Sequence, residues 1–138
     1  MHVSYNYSEQ LLTDYKNEVW NSFSEEFPAR IECTLKYIFE HLYDESLTIA
    51  DIKNTCNIKS KSFSAKFSLY AGITPKKFIL KHRINAGKIL LRETDLTIAQ
   101  VSLFIGFSSH SAFSKAFIRD AGGITPSSWI EKIQGKVQ

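Results

Sequence analysis

Basic side chains dominate the middle of this chain, and clustered ammonium and guanidinium groups bind polyanions. From Lys53 to Arg92 the sequence carries ten Lys and Arg residues and no Asp or Glu. Residues 1–45 hold three basic and nine acidic residues, whereas residues 46–138 hold fourteen basic and five acidic ones. The whole-chain charge of +3 therefore hides a −6 segment followed by a +9 segment. Because a solvated surface normally mixes both signs, the one-sided run predicts a surface that binds nucleic acid.

Side chains that can hydrogen-bond base edges recur in two short segments, at residues 60–65 and 110–115. Lys donates to guanine O6 and N7, and Ser donates or accepts at several bases. A third group, Lys76, Lys77 and Lys81, is predicted to contact phosphates, which positions a protein on DNA without reading sequence. In the first two segments, base contact, phosphate contact and simple solvation all stay open. The predicted base-facing residues are Ser60, Lys61, Ser64 and Ala65 in the first segment and His110, Ser111, Ser114 and Lys115 in the second.

Both segments lie inside an internal repeat, formed by residues 47–78 and 96–129. The two copies share a Leu-Thr-Ile-Ala opening, a Phe-Ser pair followed by a second Phe, and an Ile-Thr-Pro close. A repeat of about 50 residues marks a duplicated supersecondary unit. The two groups of base-facing residues are therefore predicted to occupy equivalent places in two similar units.

Each copy reads as a short helix, a tight turn and a second helix, which is the helix-turn-helix pattern. Thr48 and Thr97 stand where an N-cap is needed, and Gln100 completes a capping box with Thr97. Asn57 and Gly106 stand at the turns, because both tolerate the left-handed conformation that ends a helix. The second helix of the first copy is predicted at about 60–70, with Phe63, Phe67 and Tyr70 in the core. The second helix of the second copy is predicted at about 109–120, with Phe113 and Phe117 in the core. Thr-Pro pairs at 74–75 and 125–126 are predicted to start the helices that follow.

A single long helix is predicted to join the two copies. Apolar residues recur from Pro75 to Arg92, and Gly87 interrupts them at a cost of about 1 kcal/mol relative to Ala. Close packing against another helix would account for a glycine there. A helix of about 17 residues spans roughly 25 Å, so it would fix the separation of the two units. Arg83 within this helix is open to two interpretations, a DNA contact or a structural salt bridge.

The segment before the first unit is predicted to form an amphipathic helix that begins after a Ser8 N-cap. Its apolar stripe either packs on the chain's own core or forms a dimer or partner contact. Pro28 separates it from a helix at 31–42. The stripe consists of Leu11, Leu12, Tyr15, Val19, Trp20 and Phe23. These boundaries divide the chain into an extension at 1–29 and a domain at 30–138, with a first unit at 30–74, a linker helix at 75–93 and a second unit at 94–138.

Several function classes find no support in the sequence. No apolar run reaches 18 residues, which argues against a membrane span, and the N-terminus lacks a signal-peptide pattern. The two cysteines, Cys33 and Cys56, suit a reducing cytosol, and we expect no disulfide between them. No HExxH, CxxC, GxSxG or phosphate-loop motif is present, and the four histidines are scattered. We therefore expect a cytoplasmic protein with no catalytic activity, no metal and no cofactor.

Taken together, these residues resemble the DNA-binding domain of AraC/XylS-type transcription regulators over about residues 31–133. The resemblance implies an all-α fold of two helix-turn-helix subdomains joined by a long linker helix, here with an N-terminal helical extension. It implies that the second helix of each unit enters a major groove, which makes the chain a sequence-specific transcription regulator with double-stranded DNA as its partner and RNA polymerase as a candidate partner. The matching residues are Arg83, Ala86, Leu90 and Leu91, then Ile98, Ala99 and Val101, then 106–108, 113–117, Thr125 and Pro126.

Three departures from the family pattern bear on function. Ala65 stands where the family commonly has Arg, and Ala can only contact a thymine methyl. Asn57 replaces the usual turn glycine, and the second unit carries one more Gly, at 121–123, than the first. An alternative function is a helical protein-interaction module that has kept the fold and lost specific DNA binding. A ligand-sensing domain does not fit within 138 residues, so we expect a stand-alone regulator or a fragment, either monomeric or weakly dimeric through the N-terminal segment.

Overall fold

A computed structural model describes residues 2–23 and 26–135, and every regular element in those ranges is an α-helix. The all-α prediction is therefore confirmed. Helices α3 and α4 form the first helix-turn-helix pair, α5 is the linker helix, and α6 and α7 form the second pair. The helices are α1 (His2–Ser22), α2 (Ala29–Glu40), α3 (Ile49–Thr55), α4 (Phe63–Ala71), α5 (Pro75–Glu93), α6 (Ile98–Phe104), α7 (His110–Asp120) and α8 (Pro126–Gly135).

Side-chain caps begin the helices at the predicted threonines. Thr48 caps α3, and Thr97 caps α6 in a reciprocal capping box with Gln100. Thr74 caps α5 ahead of Pro75, the first residue of that helix. Each cap satisfies a backbone amide that has no partner inside its helix, and such a cap is worth about 1 kcal/mol. The local sequence thus fixes where three helices of the repeat begin.

The turns inside the two units have the same hydrogen-bond pattern. In each turn, the backbone amide that follows the residue with positive φ donates to the carbonyl oxygen of the residue five positions before it in the chain. The N···O distance is 2.8 Å in the first turn and 2.9 Å in the second. That bond needs a residue with positive φ at the helix end. Asn57 takes φ 55° and Gly106 takes φ 95°. Asn57 therefore replaces the turn glycine without changing the turn, as predicted.

Two hydrophobic clusters are built on successive stretches of α5. Phe78 and Ile79 belong to the cluster of the first unit, and Ile84 and Leu90 belong to that of the second. The linker helix therefore forms part of both cores. The predicted core phenylalanines of the repeat, Phe63, Phe67, Phe113 and Phe117, are all buried.

Gly87 of α5 permits the close packing that the sequence suggested. A Cβ atom at this position would lie 2.8 Å from Cδ1 of Ile105 and 3.2 Å from Cε1 of Phe113. Both distances are shorter than ordinary carbon contacts. The glycine thus lets α6 and α7 approach the linker helix.

Arg83 has a structural role that differs from both interpretations of the sequence. Its side chain is buried, and its Nε and Nη2 atoms donate to the carbonyl oxygens of Leu42 and Asp44, each at 2.7 Å. Burial lowers the pKa of the guanidinium, although the nearby carboxylates of Asp44 and Glu45 act to raise it. The partners in these hydrogen bonds are backbone carbonyls, and the side chain is not available to DNA.

Helix α1 extends further than predicted. It begins at His2, and Ser8 lies buried inside it, so the prediction of Ser8 as an N-cap was wrong. The backbone stays helical for six residues before Ser8. Leu12 is part of the second hydrophobic cluster, while Trp20 packs against the first. The apolar stripe therefore packs on the chain's own core, which was one of the two alternatives.

Cys33 and Cys56 form a disulfide, so the expectation of two free thiols was wrong. Cys33 lies on α2 and Cys56 is the C-terminal cap of α3. Packing of these helices brings their Cα atoms to 5.8 Å, the usual separation for a bridge. The sequence argument rested on the redox compartment and could not foresee this contact.

Tyr70 was predicted in the core and is instead 42% exposed. It lies near the end of α4, where its ring packs edge-on against Phe27 with centroids 6.1 Å apart. The chain just before α2 covers one side of the tyrosine. Its other side lines a groove at the surface.

His82 of α5 is buried beneath α1. Its Nδ1 atom lies 2.6 Å from the Tyr15 hydroxyl, and its ring packs on Phe78 with centroids 4.4 Å apart. Burial, and secondarily the charge of Lys81, lowers the pKa of His82 to about 4. The imidazole is therefore neutral in the folded protein at neutral pH.

Alanine at Gly106 should destabilise the fold far more than alanine at Gly122. Both glycines have positive φ, 95° and 69°, which costs about 1–2 kcal/mol for a residue with a side chain. A Cβ at Gly106 would also lie 2.9 Å from Nε of Arg83 and 3.1 Å from the carbonyl carbon of Tyr43, whereas nothing lies within 4 Å at Gly122. We expect urea unfolding to give a loss of about 3 kcal/mol or more for Gly106→Ala and about 1 kcal/mol for Gly122→Ala. Equal losses would contradict the packing described here.

Acid should destabilise the protein through His82. The unfolded histidine has a pKa of about 6.5, so between that pH and about 4 the unfolded chain binds a proton that the folded chain excludes. The free energy of unfolding should therefore fall with decreasing pH, by up to about 1 kcal/mol per pH unit. Urea unfolding near pH 7 and pH 5.5 measures this, with His82→Gln expected to reduce the dependence and His110→Gln, at an exposed site, as the control. An unchanged pH dependence in His82→Gln would exclude this histidine as the cause.

Candidate nucleic-acid interface

The second helix of each unit exposes the face opposite its buried phenylalanines. Phe63 and Phe67 anchor α4, and Phe113 and Phe117 anchor α7, all four with almost no exposed surface. Residues spaced by three and four positions share a helix face, so anchoring one face by two aromatic rings turns the opposite face to solvent. Both units present such a face.

On α7 the structure places all four predicted residues on or beside this face. His110, Ser111 and Lys115 are exposed, and Ser114 is half-buried. Ser109, just before them, caps the helix by accepting a hydrogen bond from the Ala112 amide at 3.0 Å. All four side chains lie in the first two turns of α7, which is the part of a recognition helix that contacts base edges in helix-turn-helix proteins.

On α4 the same face begins later than predicted. The helix starts at Phe63, so Ser64 and Ala65 lie exposed in its first turn, while Ser60 and Lys61 lie in the preceding turn. The Ser60 hydroxyl is 2.7 Å from the hydroxyl of Ser62 and accepts a hydrogen bond from its amide at 3.1 Å. Ser60 thus helps form the turn before α4. Lys61 remains exposed at the start of the helix.

The three predicted phosphate-binding lysines are exposed on α5. Lys76 and Lys77 lie in its first turn and Lys81 one turn later. Lys77 and Lys81 border a cleft of about 420 Å³ between α5 and α7. Arg119 of α7 lines the same cleft and is exposed. The sequence analysis missed Arg119, although its position four residues after Lys115 places it on a neighbouring part of the same helix surface.

Asp120 brings a negative charge to this basic cleft, and a lysine from α5 pairs with it. Lys88 Nζ lies 3.4 Å from the Asp120 carboxylate and 5.5 Å from the centroid of the Phe117 ring. The ammonium group offsets a charge that would otherwise repel phosphate. The cleft therefore acts as a basic surface formed by Lys77, Lys81 and Arg119.

The described residues contain no cluster of His, Cys, Asp or Glu able to hold a metal ion. Among the helices of 2–23 and 26–135, none is both long and apolar enough to span a bilayer. The features that remain are the exposed faces of α4 and α7 and the cationic side chains around them.

Comparison with known protein families matches residues 52–132 to a family model described as a helix-turn-helix domain. That range covers more than half of the chain, from within α3 of the first unit to α8. The chain belongs to the AraC-type helix-turn-helix family. The resemblance predicted from the linker helix and the second unit is therefore confirmed.

Curated relatives agree with this assignment of an AraC-type domain. A probable transcriptional regulator, LumQ, of Photobacterium leiognathi is 33% identical over 99 residues, which are 70% of this chain and 40% of that protein. The arabinose operon regulatory protein of Escherichia coli is 27% identical over 135 residues, which are 98% of this chain and 46% of that protein. The chain thus spans less than half the length of these relatives.

Solved structures show the same fold. The C-terminal domain of AraT, a response regulator from Geobacillus stearothermophilus, superposes with a TM-score of 0.72 at 21% identity, over 78% of this chain and 88% of that one. The DNA-binding domain of AdpA, solved in complex with a target DNA, gives a TM-score of 0.70 at 18% identity, over 79% and 96%. This chain therefore shares its fold with both of these domains despite the low sequence identity.

Removing the charge of Lys88 should weaken the binding of this AraC-type domain to any duplex, although Lys88 need not contact DNA. Lys88→Met keeps the aliphatic stem over Phe117 and leaves the Asp120 carboxylate unpaired. We expect a loss of about two- to fivefold for a random-sequence duplex, and Asp120→Asn in the same protein should restore the affinity. Fluorescence anisotropy at one low salt concentration measures all three proteins.

Lys36→Met serves as the control for this experiment, because Lys36 pairs with Glu32 at the same 3.4 Å on α2. It should leave binding within twofold of the wild type. A double variant no better than Lys88→Met would indicate that Lys88 acts on DNA directly.

Proposed function

We propose that the chain binds double-stranded DNA by placing α4 and α7 in two successive major grooves, and that it regulates transcription in this way. The observation that carries this proposal is the exposed face of α7. Ser111 and Lys115 stand opposite a fully buried pair of phenylalanines, with exposed His110 at the first residue of the helix and half-buried Ser114 beside them. Each of the four side chains can hydrogen-bond a base edge. Membership of the AraC-type family supports the same partner.

The two units are proposed to contribute unequally. The second offers four hydrogen-bonding side chains, whereas the first offers Lys61 and Ser64 beside Ala65, which can only touch a thymine methyl. The local hydrogen bonds of Ser60 further reduce what the first unit can give to bases. Sequence discrimination should therefore come mainly from α7, while α4 contributes position and affinity.

Phosphate contacts are assigned to the cations around these helices. Lys76, Lys77 and Lys81 keep the role predicted from sequence, and we add Arg119, which lines the cleft beside two of them. Such contacts fix the register of a protein on DNA and raise its affinity for all sequences alike. The alternative function, a protein-interaction module without DNA binding, leaves this set of exposed cations unexplained.

The biological setting is proposed from the relatives. LumQ and the arabinose operon protein are bacterial regulators by name, so we propose a cytoplasmic site of action and RNA polymerase as a further partner. In a reducing cytoplasm Cys33 and Cys56 would be held as thiols, and the apolar packing of α2 on α3 would remain. We propose that the domain binds as a monomer, because its N-terminal apolar stripe is engaged within the chain, and we assign it no reaction.

Binding to DNA should depend strongly on salt. If about five phosphates are neutralised, log affinity against log salt concentration should fall with a slope of about −4 to −5. Selection from a random DNA pool first supplies a preferred site, and anisotropy titrations at several salt concentrations then give the slope. A slope near zero, or no binding at low salt, would refute the proposal.

Two lysine variants separate base reading from phosphate binding in the same assay. Lys115→Ala should lower affinity for the selected site by about tenfold or more while changing random DNA little, because a base-specific contact is worth about 1–3 kcal/mol. Lys76→Ala should weaken both duplexes by similar factors. Equal losses on both DNAs for Lys115→Ala would remove Lys115 from the base-reading set.

A further inference from the structure

An open groove beside α4 stands out among the cavities of the described chain. It has a volume of about 720 Å³ and runs between the start of α2, the turn after α3 and one flank of α4. Its apolar lining includes Ile31, Ile58, Phe63, Leu69 and Tyr70. Leu69 is 82% exposed, more than any other large apolar side chain of the described residues. An exposed apolar concavity rimmed by polar side chains is the kind of surface that marks an interaction site.

The internal repeat provides a reference for this groove. Aligning Phe63 with Phe113 places Leu69 at the position of Arg119 and Tyr70 at the position of Asp120. In the second unit that flank of the helix lines the basic cleft against α5. In the first unit the same flank carries two apolar side chains where the second unit carries a cation and a carboxylate. The two units therefore differ in the chemistry of this flank, which is charged in the second and apolar in the first.

The groove also has a charged rim of one sign. Arg30, Lys59 and Lys66 line it, and no Asp or Glu is among its lining residues in the described chain. Leucine cannot donate to a phosphate, so Leu69 makes this flank a poor surface for the DNA backbone. An apolar floor with a cationic rim is complementary to a segment that combines bulky apolar side chains with carboxylates.

We propose that this groove binds an acidic, apolar segment of a partner protein, most simply an amphipathic helix that places Leu or Phe side chains over Leu69 and Tyr70. Carboxylates of the segment would pair with Arg30, Lys59 and Lys66. Helix-in-groove recognition uses apolar anchors at i, i+3, i+4 and i+7. Helix α1 of the same chain cannot supply these anchors, because its apolar stripe already packs on the core. The proposal goes beyond DNA binding and does not depend on it.

The test uses a fluorescein-labelled helical peptide of about 15 residues with Leu or Phe at i, i+3, i+4 and i+7 and Glu or Asp elsewhere. A scrambled peptide of the same composition, without the apolar stripe, is the reference. We expect saturable binding of the striped peptide to the full chain and a loss of about tenfold or more in Leu69→Ser. Leu103→Ser is the matched control, because Leu103 is 64% exposed on α6, away from the groove.

A charge reversal tests the rim independently of the floor. Lys66→Glu should weaken the acidic peptide and strengthen a version in which Lys replaces every acidic residue. Thermal unfolding of each variant by circular dichroism confirms that the fold is kept; Leu69 and Lys66 are both exposed, so neither change should lower stability by much. Random-duplex affinity of Leu69→Ser should stay within twofold of the wild type, which keeps this test separate from that of the DNA-binding function.

Four results would overturn the proposal. Equal binding of striped and scrambled peptides, or equal losses in Leu69→Ser and Leu103→Ser, would mean that the groove has no selectivity. A large loss of duplex affinity in Leu69→Ser, with peptide binding unchanged, would assign the flank to DNA. If sedimentation showed that the wild-type chain is a dimer and that Leu69→Ser dissociates this dimer, the groove would be assigned to a second copy of the chain.

Discussion

The buried guanidinium of Arg83 connects the two units of the repeat. Its nitrogens donate to the carbonyl oxygens of Leu42 and Asp44 at 2.7 Å, in the chain that follows α2, and its Cζ lies 6.0 Å from the Phe107 ring centroid in the second unit. A buried cation costs several kcal/mol unless its donors are satisfied, so both carbonyls must be in place whenever the side chain is. The turn glycine, Gly106, leaves room for this contact. Arg83 therefore joins the loop after α2, the linker helix and the second turn, and both α4 and α7 pack on that linker helix.

Within this arrangement the two copies are alike in their cores and differ on their surfaces. The threonine caps, the left-handed turn residue and the pairs of phenylalanines are equivalent, because each satisfies a backbone or packing requirement that both units share. Exposed positions carry no such requirement. Lys115 of the second copy therefore aligns with Ala65 of the first, and Arg119 aligns with Leu69. One frame thus presents a face rich in hydrogen-bonding groups on α7 and an apolar groove beside α4.

The features that could be predicted from sequence are those with local causes. Thr97 with Gln100, the turn at Gly106 and the burial of Phe113 follow from spacing alone, and each is present in the structure. The errors involve the start of α1 and contacts between distant segments. The sequence suggests Ser8 as an N-cap, but α1 begins before it. The Cys33–Cys56 disulfide depends on how α2 packs on α3, which the sequence does not reveal. Arg119 and the Lys88–Asp120 pair were missed for the same reason, since their cleft exists only once α5 lies against α7.

Helix α5 keeps three different environments apart by the direction in which its residues point. Successive residues on a helix point about 100° apart, so Lys81 projects to solvent while His82 lies beneath α1 and Arg83 enters the interior. A protonated His82 would place two positive charges side by side, one of them buried, and burial together with Lys81 instead holds the imidazole neutral. Tyr15 then binds Nδ1 without a charge being desolvated. The acidic helix α1 is in this way fixed to the linker through neutral contacts, while Lys76, Lys77 and Lys81 of the same helix stay exposed to solvent.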